Sequence, residues 1–212
     1  MKKDNKAYVD KIIKLLNEEY GGIDIALNFS NPFELLAATI LSAQCTDERV
    51  NKVTPALFKR YKTIADFAKA VPSELENYIR SAGFFRNKAK NIIGSAKMVM
   101  EKYGGKVPDN MKDLLELPGV ARKTANIVLG SGFNKSEGIA VDTHVIRLAN
   151  LLKLTKYEAP VKIEQDLMKI VPKHMWIKFP FLVQTLGRRV CKARRPDHAI
   201  CPLKHICPSA KL

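Results

Sequence analysis

Acidic residues are scarce in this sequence. Asp and Glu number 21 against 36 Lys and Arg, which leaves a formal charge of +15 and a pI of about 9.7. That balance suits a polyanion such as DNA or RNA, although a ribosomal or membrane-surface protein would show it too. Long apolar runs are missing. The longest, such as Leu35 to Leu41, are far too short to span a bilayer. The opening Met1-Lys2-Lys3-Asp4-Asn5-Lys6 lacks the apolar core of a signal peptide. The expectation is a cytoplasmic protein, nucleoid-associated in a prokaryote, with no membrane partner. Aromatics are few, at 8%, and the alternation of Val, Ile and Thr that marks strands is rare. There is no internal repeat, low-complexity tract or long linker. Cysteine is also sparse, at four residues, and three of the four crowd near the C-terminus. Such crowding argues against a secreted disulfide framework and for a metal site.

What is present is helical periodicity. Hydrophobic residues make up 46% of 212 residues, enough for one large domain or two small ones with a real core. Val9, Ile12, Ile13 and Leu16 share one helical face, which ends before Gly21-Gly22. Asn31-Pro32 reads as a cap with proline at the first helical position, opening a helix to about Ala43 that is apolar nearly all round. Thr46 or Asp47 can cap the next helix, in which Pro55 stands near the middle or at a break. Thr63 and Ser73 are further expected caps, Ser73 with Glu76 at capping-box spacing. A long amphipathic helix from about Ala89 ends at Gly104-Gly105. Two more helices are expected at Val161 to Ile170 and at about Trp176 to Arg188. The fold class is all-α.

The stretch from Leu117 to His144 organises the chain. A tight turn, Pro118-Gly119-Val120-Ala121, separates two helical patterns and makes a helix-hairpin-helix. Gly119 allows a sharp turn and close approach to a ligand. The unpaired N–H groups at the start of the second helix suit a phosphate. Lys123 sits in the first turn of that helix beside Arg122. A free lysine has a pKa of about 10.4, and the positive helix end and Arg122 both disfavour the charged form. Lys123 is therefore either a nucleophilic amine or a plain phosphate contact. Asp142, in Val141-Asp142-Thr143-His144, is a good N-cap for the helix that follows. It is either only a cap or also a carboxylate held ionised for chemistry.

These residues resemble the active-site region of the endonuclease III family, in the helix-hairpin-helix DNA glycosylase superfamily. That family has a similar hairpin carrying a catalytic lysine, then a similar segment carrying a catalytic aspartate. Lys123 and Asp142 match those positions. The second glycine of the family hairpin is Ala121 here, acceptable if the position needs no left-handed backbone. By the same resemblance, Gln44 in Leu41-Ser42-Ala43-Gln44 fills the gap left by an extruded base. Phe84, in Gly83-Phe84-Phe85-Arg86-Asn87-Lys88, matches the apolar wedge; a core staple is the plainer reading of a Phe pair. Arg86, Lys88 and Lys90 read as phosphate contacts. Cys45 reads as a small buried hydrophobe.

Near the C-terminus, the family carries four cysteines that hold a 4Fe-4S cluster. Cys191, Cys201 and Cys207 match the first, third and fourth of them, and His198 stands at the second. Nitrogen ligation is known for other cluster types. Zinc in a Cys3His tetrahedron is the rival. Lys192, Arg194 and Arg195 belong to the same loop, which a metal would fix against the phosphate backbone. The resemblance implies a domain of residues 22–136 holding the hairpin, and a second made from residues 1–21 and 137–212. It also implies a monomeric DNA glycosylase and abasic-site lyase acting on double-stranded DNA that carries oxidised pyrimidines or abasic sites. A mismatch-specific glycosylase of the superfamily, a non-catalytic DNA-binding module and a basic structural or ribosome-associated protein are the alternatives.

Overall fold

The computed structural model describes residues 3–211, with side chains from Asn5 onward. The expectation made on Met1 to Lys6 therefore lies, for its first two residues and the side chains of the next two, outside the described residues. Among the described residues every regular element is helical: α1 (Lys3–Tyr20), α2 (Pro32–Leu41), α3 (Asp47–Arg60), α4 (Ile64–Ala68), α5 (Pro72–Ile79), α6 (Phe85–Lys102), α7 (Met111–Leu114), α8 (Arg122–Ile127), α9 (Thr143–Leu151), α10 (Pro160–Ile170) and α11 (Lys178–Arg189). No described helix is long and apolar enough to cross a membrane. The chain divides into two compact units, one of residues Ala26–Glu137 and one of Met1–Ile25 with Gly138–Leu212.

The first unit is built around α2. Asn31 caps it by accepting from the N–H groups of Phe33 and Glu34, and Pro32 holds the first helical position. Its apolar circumference is fully used. Leu35, Leu36, Ala38 and Leu41 are all completely buried against α3, α6 and α8. Phe67 of α4 closes one end of this core, its ring centroid 5.2 Å from Phe33 and 5.1 Å from Tyr61. Burying a ring of that size contributes roughly 1.5–3 kcal/mol.

Capping decides where the short helices begin. Thr63 and Asp66 form a reciprocal capping box at the start of α4. Ser73 is not a cap. Helix α5 starts earlier, with Val71 as N-cap and Pro72 at the first helical position. Proline needs no N–H partner there, so it fixes the start ahead of the serine. Pro55 lies inside an unbroken α3.

The second unit has its own core. Val9, Ile12 and Leu16 of α1 meet Leu148 of α9, Ile163 and Leu167 of α10, and Leu182 and Leu186 of α11. Leu203, beyond the last helix, is 1% exposed and belongs to the same cluster. Tyr8 reaches this tail as well, its hydroxyl donating to the carbonyl of Ile206 at 3.2 Å.

Candidate active site and metal-binding loop

The hairpin forms as its residues dictate. Val120 N–H donates to Leu117 C=O and closes the turn between α7 and α8. Gly119 has φ +79°, and a Cβ there would come within 2.7–2.9 Å of the Asn91 side chain. Both the left-handed backbone and the lack of space demand glycine. Ala121 is in ordinary extended backbone at φ −91°, which explains why alanine serves there. It is the N-cap of α8 but makes no side-chain cap bond. Helix α6 supports the turn from below, the Ser95 hydroxyl donating to Pro118 C=O at 2.8 Å. Lys123 is exposed in the first turn of α8. After Ile127 the helix widens into a π turn, Val128–Gly132, a feature nothing in the sequence announced.

Asp142 belongs to the other unit, at the start of α9. Its Oδ1 accepts from Val145 N–H at 2.8 Å, the expected cap bond. Its Oδ2 accepts from Gln184 Nε2 of α11 at 2.7 Å. The carboxylate is thus held at both oxygens and cannot rotate without breaking a charge-assisted bond. Gln184 carries no mark in the sequence beyond being a polar residue on an amphipathic helix. The helices can bring it so close because Gly187 sits where α11 crosses α9. A Cβ at that glycine would lie 2.7 Å from His144 Nδ1.

Gln44 and Phe84 each occupy an exposed turn. Both have left-handed backbones, with φ +52° and +47°. Phe84 is 67% exposed, so it is no core staple. Phe85 takes the half-buried position, with the guanidinium groups of Arg80 and Arg86 each 5.6 Å from its ring centroid. Arg86 is exposed, as a phosphate contact requires. Lys88 is not. It is 4% exposed, and its ammonium donates to the carbonyls of Leu41 at 2.8 Å and Ala82 at 2.9 Å. Its expected role at the DNA backbone is corrected accordingly: an ammonium enclosed in the protein and turned to two internal carbonyls is not presented to a phosphate outside. Burial also pushes the Lys88 amine below its ordinary pKa. Cys45 is half-buried rather than a core residue.

At the C-terminus, Cys191, His198, Cys201 and Cys207 line one cavity of about 300 Å³. All three cysteines are free thiols. Burial pushes the Cys201 thiol up, and negative charge on Cys191 and Cys207 adds to it. An electron-poor metal centre relieves both effects. Among the described residues, no three His, Cys, Asp or Glu side chains converge closely enough for a single metal ion. Thiols with one imidazole around a single cavity are a donor set that suits iron–sulfur clusters. The His198 ring nitrogen Nδ1 accepts from Lys211 N–H at 2.8 Å and lies 3.2 Å from Lys211 C=O. Lys192, Arg194 and Arg195 are all exposed on this loop. A larger cavity of about 740 Å³, lined by Phe33, Tyr61, Phe67 and Tyr103 among others, contains none of these residues.

Comparison with known proteins places these features. Residues 37–173 match the model of the HhH-GPD superfamily base excision DNA repair proteins. Residues 191–207 match the iron–sulfur binding domain of endonuclease III. The endonuclease III of Synechocystis sp. is 50% identical, covering 97% of this chain and 94% of that one. The endonuclease III of Bacillus subtilis is 42% identical, covering 96% and 93%. A solved structure of a trapped endonuclease III–DNA covalent intermediate superposes with a TM-score of 0.91 at 41% identity, covering 96% of each chain. The C-terminal loop is therefore an iron–sulfur loop, and the zinc alternative is not favoured. The chain belongs to the HhH-GPD superfamily of base excision DNA repair proteins and, within it, to the endonuclease III family, whose members are DNA glycosylases with abasic-site lyase activity.

Proposed function

We propose that Lys123 is the nucleophile and Asp142 the carboxylate of a glycosylase and lyase acting on oxidised pyrimidines in duplex DNA. The observation that carries this reading is the hold on Asp142, a half-buried carboxylate fixed by two neutral donors from different elements. A cap needs one such bond. The second orients the carboxylate without neutralising it.

In the proposed reaction, the Lys123 amine gives its lone pair to the sugar C1′ carbon. The glycosidic bond breaks, and the base leaves with that electron pair. Asp142 stabilises the positive charge developing on the sugar, or takes the proton the amine releases. Opening of the sugar ring gives a Schiff base between Lys123 and C1′. Loss of a C2′ proton then expels the 3′ phosphate and cleaves the strand by β-elimination.

Gln44 and Phe84 enter the duplex on opposite strands, and both expose the side chains that this needs. The hairpin around Gly119 and Ala121, with Arg122, and the exposed Arg86, Lys192, Arg194 and Arg195, bear on the phosphate backbone. Cys191, Cys201 and Cys207 hold the cluster, with His198 as fourth ligand. The bond from Lys211 N–H to its Nδ1, at 2.8 Å, holds the His198 ring beside the cavity. The cluster supplies a rigid cross-link for a loop with little core of its own.

Borohydride trapping tests the chemistry. Wild-type protein and a duplex containing thymine glycol give a covalent adduct; Lys123→Gln gives none while still binding the duplex. An adduct that survives this substitution removes Lys123 from the mechanism. Visible absorption and iron analysis of His198→Ala test the ligand set: full iron with an unaltered spectrum would eliminate His198.

A further inference from the structure

We propose that Lys88 is a positioning residue for base extrusion: its buried ammonium fastens together the two left-handed turns that present Gln44 and Phe84. The proposal rests on the reading that these two side chains enter the duplex.

The geometry is specific. Leu41 ends α2, three residues before Gln44, and Ala82 precedes Phe84 by two. One ammonium donates to both carbonyls, at 2.8 Å and 2.9 Å, across a gap of 47 residues in sequence on one side and 6 on the other. Its hydrogen-bond partners among the described residues are carbonyls alone. A lysine buried without a carboxylate is an unfavourable way to fill a core, and an aliphatic residue would fill it at lower cost. What an aliphatic residue would lack is the two bonds that join the turns.

Both turns need such a restraint. A positive φ is uncommon for glutamine and phenylalanine, and it persists only where surrounding structure enforces it. The side chains of Gln44 and Phe84 are exposed, so they contribute little of that enforcement. Holding both turns from one atom fixes their separation. That separation is what two groups entering opposite strands at one lesion have to match.

The test is a double-mutant cycle on single-turnover base release from a thymine glycol duplex, with 2-aminopurine beside the lesion reporting unstacking. Lys88→Met in the wild-type background slows release and the fluorescence rise by about tenfold or more. In a background already carrying Gln44→Ala and Phe84→Ala it slows them by less than about twofold, because nothing remains to be positioned. The same loss in both backgrounds overturns the clamp and leaves Lys88 a general stabiliser. A background that itself releases base at the wild-type rate overturns the insertion reading, and the clamp with it. Should Lys88→Met fail to fold, hydrogen exchange on the wild-type holoenzyme decides. A shared opening rate for the amides of residues 42–45 and 83–85 supports one fastened unit; unrelated rates overturn it.

Discussion

The two oxygens of Asp142 divide what was legible in the sequence from what was not. The bond from Oδ1 to Val145 is local, and capping chemistry announces it three residues away. The bond from Oδ2 comes from Gln184, 42 residues on, and only the packed helices create it. Gln184→Leu removes that donor at nearly constant volume. It is expected to lower single-turnover base release by about tenfold while leaving duplex affinity within about twofold, a split visible when rate and binding are measured separately. Lys88 shows the opposite error. Lysine is exposed by default, and the sequence around it is basic, so a phosphate contact is the natural expectation. Its burial follows from the paths of two turns, one of them 47 residues away in sequence. A pH dependence follows too. The folded-state amine titrates below its ordinary value of 10.5 because burial disfavours the charge. Between the lowered value and 10.5 the unfolded chain binds more protons, so this group makes stability rise with pH. Urea melts of wild type against Lys88→Met across the alkaline range should show the wild type losing less stability, or gaining more, as pH increases.

At the scale of elements, local chemistry located most helices and tertiary structure adjusted their ends. Asn31, Thr46, Thr63 and Asp142 all cap as their types suggest. Ser73 yields to Pro72, whose fixed φ claims the first helical position. The π turn at Val128–Gly132 has no local signature, because it depends on what the helix packs against. The contact of α9 with α11 depends on a single missing methyl. Gly187→Ala would drive a Cβ into His144, with the nearest Arg147 atom 3.2 Å away. Overpacking of this kind costs about 1–3 kcal/mol. The melting temperature should fall by about 5 °C, and base release should slow as well, since Gln184 and Asp142 sit on the two helices being forced apart. A variant with unchanged melting and unchanged rate would mean that the helices have slack here.

For the molecule as a whole, charge governs affinity. The excess of 36 basic over 21 acidic residues is plain from composition, as is its implication for a polyanion. Which basic residues matter is not, because composition cannot tell an exposed Arg194 from a buried Lys88. Replacing Lys192, Arg194 and Arg195 with alanine should weaken binding to damaged and undamaged duplex alike. The slope of log affinity against log salt should flatten by about one for each phosphate that is no longer neutralised. A weakening confined to damaged duplex would place these side chains at the lesion instead. The iron–sulfur loop was legible through its cysteines, although neither their spread around the cavity nor the bond between His198 and Lys211 could be read from spacing.

The unit that carries Asp142, Cys191, Cys201 and Cys207 draws its core from two stretches far apart in sequence, with Val9 in one and Leu203 in the other. On a ribosome, α1 emerges long before α9, α10 and α11 and must wait for them before its apolar face finds a partner. The hairpin-bearing unit has no such delay, since its residues are contiguous. A nascent chain of this design can therefore close the core of the hairpin-bearing unit well before that of the unit with Asp142.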